Sequence, residues 1–204
     1  MKIDFYFDPS CPWCWVTSRW LLMVSGQRDL DIDWRLFSLA YVNDELKNKE
    51  GGEHLPSHRV ERLMLAVKKQ GVNILDLYTA LGIKHFLSGE EYTDSMIEDV
   101  LKQLNLSGEL INSASDSSLD PEIIASSEEA KKVVGQDIGV PTIVFNFDNQ
   151  VKKGFFGPVL KELPAQEESV KLWDSIVELA KNDSFCELKR GRDSDPDVYS
   201  TAKC

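Results

Sequence analysis

Apolar and polar residues alternate over residues 2–7, with Ile3, Phe5 and Phe7 on one face, the period of a β-strand. Asp8-Pro9-Ser10 breaks the pattern. From Pro12 to about Ser25 the chain reads as a helix: proline suits the first helical position, where a missing N–H costs nothing, and Gly26 is a natural stop. Alternation returns over residues 31–37, with Ile32, Trp34 and Leu36 on one face. This β-α-β opening predicts a parallel pair crossed by a helix.

The middle of the chain has another period. From about Ser57 to Gly135 only helical patterns are found. Val60, Leu63, Met64 and Val67 form one stripe; Ile74, Leu77, Tyr78 and Leu81 form a second after Asn73; Ile97, Val100, Leu101 and Leu104 form a third after Thr93, a predicted N-cap. Leu110, Ile111 and Ala114 make a shorter stripe, and Asp120-Pro121 opens a helix ending near Gly135. Such stripes read as helix–helix core. Strand signals then return: Val140–Phe147, a turn at Asp148-Asn149-Gln150, and Val151–Phe156, together a hairpin. Residues 166–181 form a last amphipathic helix with Val170, Trp173, Ile176, Val177 and Ala180 on its apolar side. The polar stretch from Lys189 to Cys204 is expected to be poorly ordered.

The 204 residues suffice for one core carrying an insertion. The net charge of −11 argues against nucleic acid as a partner, since phosphate binding needs clustered Lys and Arg. No signal-peptide pattern and no apolar run of membrane-spanning length is found, so a cytoplasmic protein is expected. The four cysteines, Cys11, Cys14, Cys186 and Cys204, are too few for a structural disulfide framework in such a compartment.

The chemistry concentrates at Cys11-Pro12-Trp13-Cys14. A C-x-x-C pair just after a strand, opening a helix, places Cys11 at the N-cap. There, unpaired backbone N–H groups and the helix dipole favour its thiolate. Cys14, one turn on, can attack a mixed disulfide formed at Cys11 and release the reduced substrate. Pro12 stiffens the intervening turn. Trp13 offers a flat face for an aromatic or extended substrate, or simply packs over the helix start. Zinc would need two more ligands, and Cys186, Cys204, His54 and His58 form no second pair of familiar spacing, so no metal is expected. A proline inside a strand, Pro141 in Gly139-Val140-Pro141-Thr142, is unusual. It is either an edge residue or a cis proline facing the cysteines and exposing the Val140 backbone to an extended substrate. Cys186, beside Phe185, reads as a small packing residue.

The segments Asp4-Phe5-Tyr6-Phe7-Asp8-Pro9, Cys11-Pro12-Trp13-Cys14-Trp15 and Thr17-Ser18-Arg19-Trp20 closely resemble the DsbA-like thioredoxin-fold proteins. So do Phe155-Phe156-Gly157-Pro158-Val159-Leu160 and Lys171-Leu172-Trp173-Asp174. Within them the chain looks most like the mycothiol-dependent nitroreductase branch, a relative of the FrnE-type disulfide isomerases. The resemblance implies an α/β thioredoxin fold with a large all-helical insertion. It implies Cys11 as nucleophile, Cys14 as resolving thiol and Pro141 as cis proline. It also implies the low-molecular-weight thiol mycothiol as electron donor, no tightly bound cofactor, and disulfides or nitroaromatics as substrates. Several thioredoxin-fold members carry a buried acid six residues before the first cysteine, where this chain has Phe5 flanked by Asp4 and Asp8.

The expected organisation is a thioredoxin-like domain from residues 1–53 and 136–188, a helical insertion over 54–135, and a polar tail over 189–204. Cys11 and Cys14 are expected to be catalytic, and Pro12, Trp13, Val140, Pro141 and Thr142 to line a substrate groove completed by the helical block. The expected partners are a small thiol and a small-molecule or disulfide substrate, without nucleic acid or membrane. Three other functions suit the same cysteines less directly: a protein disulfide isomerase or oxidase, a redox-sensing binding module, and a glutathione-transferase-like enzyme. The last needs no second cysteine at position 14.

Overall fold

The computed structural model describes residues 1–47, 51–147 and 151–202. The predicted turn at Asp148-Asn149-Gln150 and Cys204 lie outside the described residues. The chain separates into two compact units: Met1–Tyr6, Cys11–Arg35 and Ala130 onward form the first, and Phe7–Ser10 with Leu36–Glu129 form the second.

The first unit is built on a four-stranded sheet of order β2-β1-β3-β4, with β1 at Lys2–Phe7, β2 at Asp31–Leu36, β3 at Thr142–Asn146 and β4 at Lys152–Phe156. β1 pairs antiparallel with β3, Phe5 opposite Ile143, and β3 pairs antiparallel with β4 as the predicted hairpin. The alternation in β1 marks one apolar face, Ile3, Phe5 and Phe7. In the structure every residue from Ile3 to Phe7 is buried, the pattern of a central strand. Asp4, on the face opposite Phe5, is tolerated because its carboxylate accepts from Asn146 Nδ2 at 3.1 Å and Lys152 Nζ at 3.3 Å.

Helix α1, Pro12–Ser25, matches the expected bounds. Nine of its fourteen residues are buried, Cys14 through Leu21 and Val24, so it is enclosed on most of its circumference. α7, Gln166–Lys181, packs against it through Trp173, whose ring lies 5.9 Å from that of Trp20 and 5.6 Å from that of Phe145 on β3. The Trp20 indole donates to the Ser169 carbonyl at 3.3 Å. Arg19 is buried too, its guanidinium stacked 4.3 Å over the Trp15 ring.

The second unit is helical. α2 spans Leu39–Val42, α3 Leu55–Lys69, α4 Ile74–Gly82, α5 Asp94–Gln103, and α6 Asp120–Val134, the last straddling the two units. The three longer predicted stripes are core, from Val60 to Leu101, with Leu104 serving as the C-cap of α5. Asn73 and Thr93 cap α4 and α5 by accepting from Leu75 N–H and Met96 N–H. The Leu110 stripe forms a 3₁₀ helix, Gly108–Ser115, rather than an α-helix. No helix among the described residues is long and apolar enough to cross a membrane.

The polar tail differs from expectation. Val198–Thr201 forms a helical turn whose Thr201 is 3 % exposed. The Thr201 hydroxyl accepts the buried Trp15 indole N–H at 2.9 Å and donates to the Val198 carbonyl at 2.7 Å. Asp197 N–H donates to the Lys161 carbonyl at 2.6 Å, and Leu163 N–H to the Ser200 hydroxyl at 2.9 Å. A buried indole N–H requires a partner, and the tail supplies it. Composition alone could not show that one threonine of this stretch closes the core. Thr201→Val, isosteric but without the acceptor, is expected to lower unfolding free energy by about 1–3 kcal/mol, the cost of a buried donor left unsatisfied. Urea denaturation measures this, and an unchanged midpoint at equal slope would show that the tail contributes nothing to the core.

Candidate active site

Sequence forces the helix to begin where it does. Pro12 cannot donate and occupies the first turn; Cys11 before it has extended backbone, φ −76° and ψ 112°. Its side chain therefore turns back over the helix start, as a capping serine would. The Cys11 sulfur accepts the Cys14 N–H at 3.4 Å. Its S–H faces the Val140 carbonyl at 3.7 Å. Cys11 is 6 % exposed and Cys14 wholly buried, and both are free thiols. Of the two, only Cys11 reaches the surface.

The Val140–Pro141 bond is cis, in line with the second sequence reading of that proline, and so is Gly157–Pro158, which the sequence reading did not anticipate. The two turns are tied together: Gly157 N–H donates to the Pro141 carbonyl at 2.7 Å. The Pro158 carbonyl in turn accepts the Thr17 hydroxyl of α1 at 2.9 Å. Gly157 has φ +113°, and an added Cβ would stand 3.1 Å from Val159 N. No other residue suits that position, which gives the Phe-Phe-Gly-Pro segment a physical reason. Through it, the proline turn that faces the Cys11 sulfur is fastened to α1.

The predicted site residues separate into two groups. Cys11, Pro12, Trp13, Cys14, Val140 and Pro141 all belong to the first unit, and the Cys11 sulfur meets the Val140 carbonyl directly. Thr142 is fully buried and its hydroxyl donates to the Gly139 carbonyl at 2.8 Å, shaping the turn rather than facing outward. Trp13 is half-buried. Its ring is covered by the Arg192 guanidinium, 5.1 Å from the ring centroid, and the same group lies 5.8 Å from the ring of Phe156. Each such exposed contact contributes about 0.5–1 kcal/mol. The face foreseen as a stacking platform for substrate thus carries an arginine from the tail, a contact between residues too distant in sequence for spacing to reveal. Cys186, expected to pack, is exposed; its neighbour Phe185 takes the packing role against Phe155 at 5.6 Å.

The sequence reading also missed a buried polar cluster in the second unit. Asp8 is fully buried, accepting from Ser10 N–H at 2.8 Å, the Ser10 hydroxyl at 2.7 Å and Leu39 N–H at 2.9 Å. The Tyr92 hydroxyl donates to the Pro9 carbonyl at 2.8 Å. The segment leading into Cys11 is therefore fixed before the helix begins. Beyond it, His58 Nδ1 meets Glu61 Oε2 at 2.7 Å and Ser38 Oγ at 2.9 Å, while Nε2 meets Asp120 Oδ1 at 3.0 Å. Arg62 holds Asp120 through two bonds of 2.6 and 2.8 Å. Two ring nitrogens facing two carboxylates favour the doubly protonated imidazolium. Burial lowers the His58 pKa, but Glu61 and Asp120 outweigh it and the net shift is upward. Full burial, reinforced by the charge of Asp8, pushes Glu61 up to about 7.

Fold and site define the class: a thioredoxin-fold oxidoreductase with a C-x-x-C pair at a helix start. A family model described as "Rv2466c-like: Mycothiol-dependent nitroreductase Rv2466c" matches residues 10–190. The chain therefore belongs to the Rv2466c-like family of mycothiol-dependent nitroreductases, as its motifs suggested, and is an oxidoreductase. It is 28 % identical over 192 residues to the uncharacterized protein Rv2286c of Mycobacterium tuberculosis, covering 92 % of this chain and 81 % of that one. Among solved structures, it resembles the cytosolic disulfide reductase DsbM from Pseudomonas aeruginosa, with TM-score 0.59 and 14 % identity over 88 % of this chain and all of that one. It also resembles the probable DsbA oxidoreductase SCO1869 from Streptomyces coelicolor, with TM-score 0.57 and 16 % identity over 95 % and 94 %. At these identities the likeness shows the fold, the DsbA-like thioredoxin fold.

The His58–Glu61 pair has a consequence for pH. Glu61 ionises near 4.5 when unfolded and near 7 when folded. Its contribution to stability is therefore fully present below about 4.5 and lost as pH rises towards 7. His58 is raised above 6.5, so its contribution is intact below 6.5 and lost as pH climbs through the folded value. Both signs agree. Stability is expected to decline from about pH 5 to pH 8, and Glu61→Gln to flatten that slope. Urea midpoints across this range check it; identical slopes in the two proteins would exclude the pair as the titrating unit.

Proposed function

We propose that this protein is a cytoplasmic thiol–disulfide oxidoreductase in which Cys11 attacks, Cys14 resolves, and mycothiol supplies the electrons for reducing disulfides or electrophilic nitroaromatics. The observation that carries the reading is the position of the Cys11 sulfur: on the helix N-cap, accepting the Cys14 N–H and facing the Val140 carbonyl. Family membership supports mycothiol as the donor.

The proposed steps are these. The Cys11 sulfur attacks one sulfur of a disulfide; that S–S bond breaks and one half leaves as a thiol. The Cys14 N–H stabilises the Cys11 thiolate before attack. Cys14 loses its proton and attacks Cys11, closing the protein disulfide and releasing the second thiol. The substrate has gained two electrons and two protons. Two mycothiol molecules restore the dithiol and leave as their own disulfide. A nitroaromatic takes its electron pairs from the same cycle. The division of residues 1–53, 136–188 and 189–204 from a helical insertion at 54–135 belongs to this proposal, as does substrate contact by Pro12, Trp13, Val140 and Pro141; Thr142, fully buried, is left to shape the turn behind them.

Turnover of a model disulfide and a nitroaromatic with mycothiol, glutathione and thioredoxin in turn tests the reading. Mycothiol is expected to support the fastest cycle, and equal or faster turnover with thioredoxin would remove it as donor. Cys11→Ser is expected to abolish turnover, by at least about a hundredfold for loss of the nucleophile. Cys14→Ser should trap a mixed disulfide on Cys11, visible by intact mass. An adduct on Cys14 in the Cys11→Ser protein would reverse the two roles. A Cys186→Ser, Cys204→Ser double variant is expected to keep its activity; loss of activity in the folded variant would reveal a third redox thiol.

A further inference from the structure

We propose that Arg192 is a specificity-determining residue for exchange at Cys11, selecting small substrates that carry hydrogen-bond acceptors beside their sulfur. The acceptors are carboxylate, amide-carbonyl or hydroxyl oxygens. The proposal rests on the reading of Cys11 and Cys14 as the redox pair and names the substrate chemistry of that site.

Trp13 stands between the two cysteines, and the Arg192 guanidinium lies over its ring at 5.1 Å. The same guanidinium reaches the ring of Phe156 at 5.8 Å. Phe156 leads directly into Gly157, whose N–H holds the Pro141 carbonyl. Arg192 therefore bridges the cysteine motif and the proline turn whose Val140 carbonyl faces the Cys11 sulfur.

The segment that carries it is fastened. Asp193 pairs with Lys161 at 3.2 Å, and Asp197 N–H bonds the Lys161 carbonyl. Four residues further on, Thr201 is buried under Trp15. Lys161 and Asp193 neutralise each other, whereas Arg192 is exposed and, among the described residues, has neither a carboxylate nor a hydrogen-bond acceptor. A guanidinium stacked on aromatic faces keeps its N–H donors at its rim, in the plane of the group. In a chain of net charge −11, this places a cation with open donors over the ring of Trp13, the residue between the two cysteines. It is what an acceptor-bearing thiol or disulfide would engage while its sulfur reacts. The matched family region stops at residue 190, so this contact lies beyond it.

Arg192 takes no part in the electron balance. Reduced protein and a disulfide give oxidised protein and two thiols, with dithiothreitol restoring the dithiol in the assay. The arginine holds the half of the substrate that remains on Cys11.

The test compares three disulfides: glutathione disulfide (anionic), N-acetylcysteamine disulfide (neutral, with amide carbonyls) and diethyl disulfide (no oxygen or nitrogen). The readout is each kcat/KM ratio to diethyl disulfide. Arg192→Ala is expected to lower the glutathione ratio about tenfold, as for one lost charge-assisted hydrogen bond. The amide ratio should fall in the same direction, with the loss in KM rather than kcat. Arg192→Lys, which keeps the charge without the planar fork, should fall between. Ratios unchanged in Arg192→Ala overturn the proposal, even if the variant is less stable or uniformly slower. A wild-type protein that turns over none of the three overturns the redox-pair reading itself.

Discussion

The N–H of Cys14 points at the Cys11 sulfur at 3.4 Å, a contact that depends on the helix behind it being held in place. α1 is buried from Cys14 to Leu21, so its rotation would carry Trp15, Trp20 and Leu21 out of packed positions together. Its donors are held from several sides: the Trp15 indole by Thr201, the Thr17 hydroxyl by Pro158, the Trp20 indole by Ser169. These partners come from the tail, the loop after β4, and α7. The start of α1 is thus held by contacts spread over the first unit, and the capping sulfur inherits that rigidity.

The approach to Cys11 is fixed independently. Asp8, with three hydrogen bonds and no exposure, sets the turn that feeds the helix. The position six residues before the first cysteine, an acid in several thioredoxin-fold members, is Phe5 here, fully buried and set edge-on against Trp34 at 5.2 Å. The nearby acids are used otherwise: Asp4 is bound to Asn146 and Lys152, and Asp8 to Ser10 and Leu39. Both carboxylates are thus engaged by other donors.

How much was legible follows from the range of each interaction. The strands, α1, the helical stripes and the C-x-x-C at a helix start were readable because their signals lie within a few residues: alternation, 3.6-residue periodicity, capping residues and Pro12. Pro141 was readable only together with Cys11, because a proline in a strand means little alone. Three features were hidden. Thr201 under Trp15 spans 186 residues; no local pattern distinguishes that threonine from a solvated one. Arg192 over Trp13 is likewise a meeting of distant positions. The His58–Glu61–Asp120 cluster was overlooked since His58 and Glu61, three apart on α3, look like any surface pair until Asp120 and burial are added. Cys186 failed the opposite way: its apolar neighbour predicted burial, but Phe185 alone turned inward.

The crowding of indoles on α1 gives the molecule an optical property. Three of its five tryptophans, Trp13, Trp15 and Trp20, lie on the helix that carries the two cysteines. One stands between the sulfurs and another follows them directly. A disulfide is an efficient quencher of an adjacent excited indole, whereas a thiol is a weaker one. The ultraviolet emission of the unlabelled chain should therefore change as the pair opens and closes. Closure of the two thiols into a disulfide would then be read from the chain's own emission, over a background from Trp34 and Trp173 on other elements.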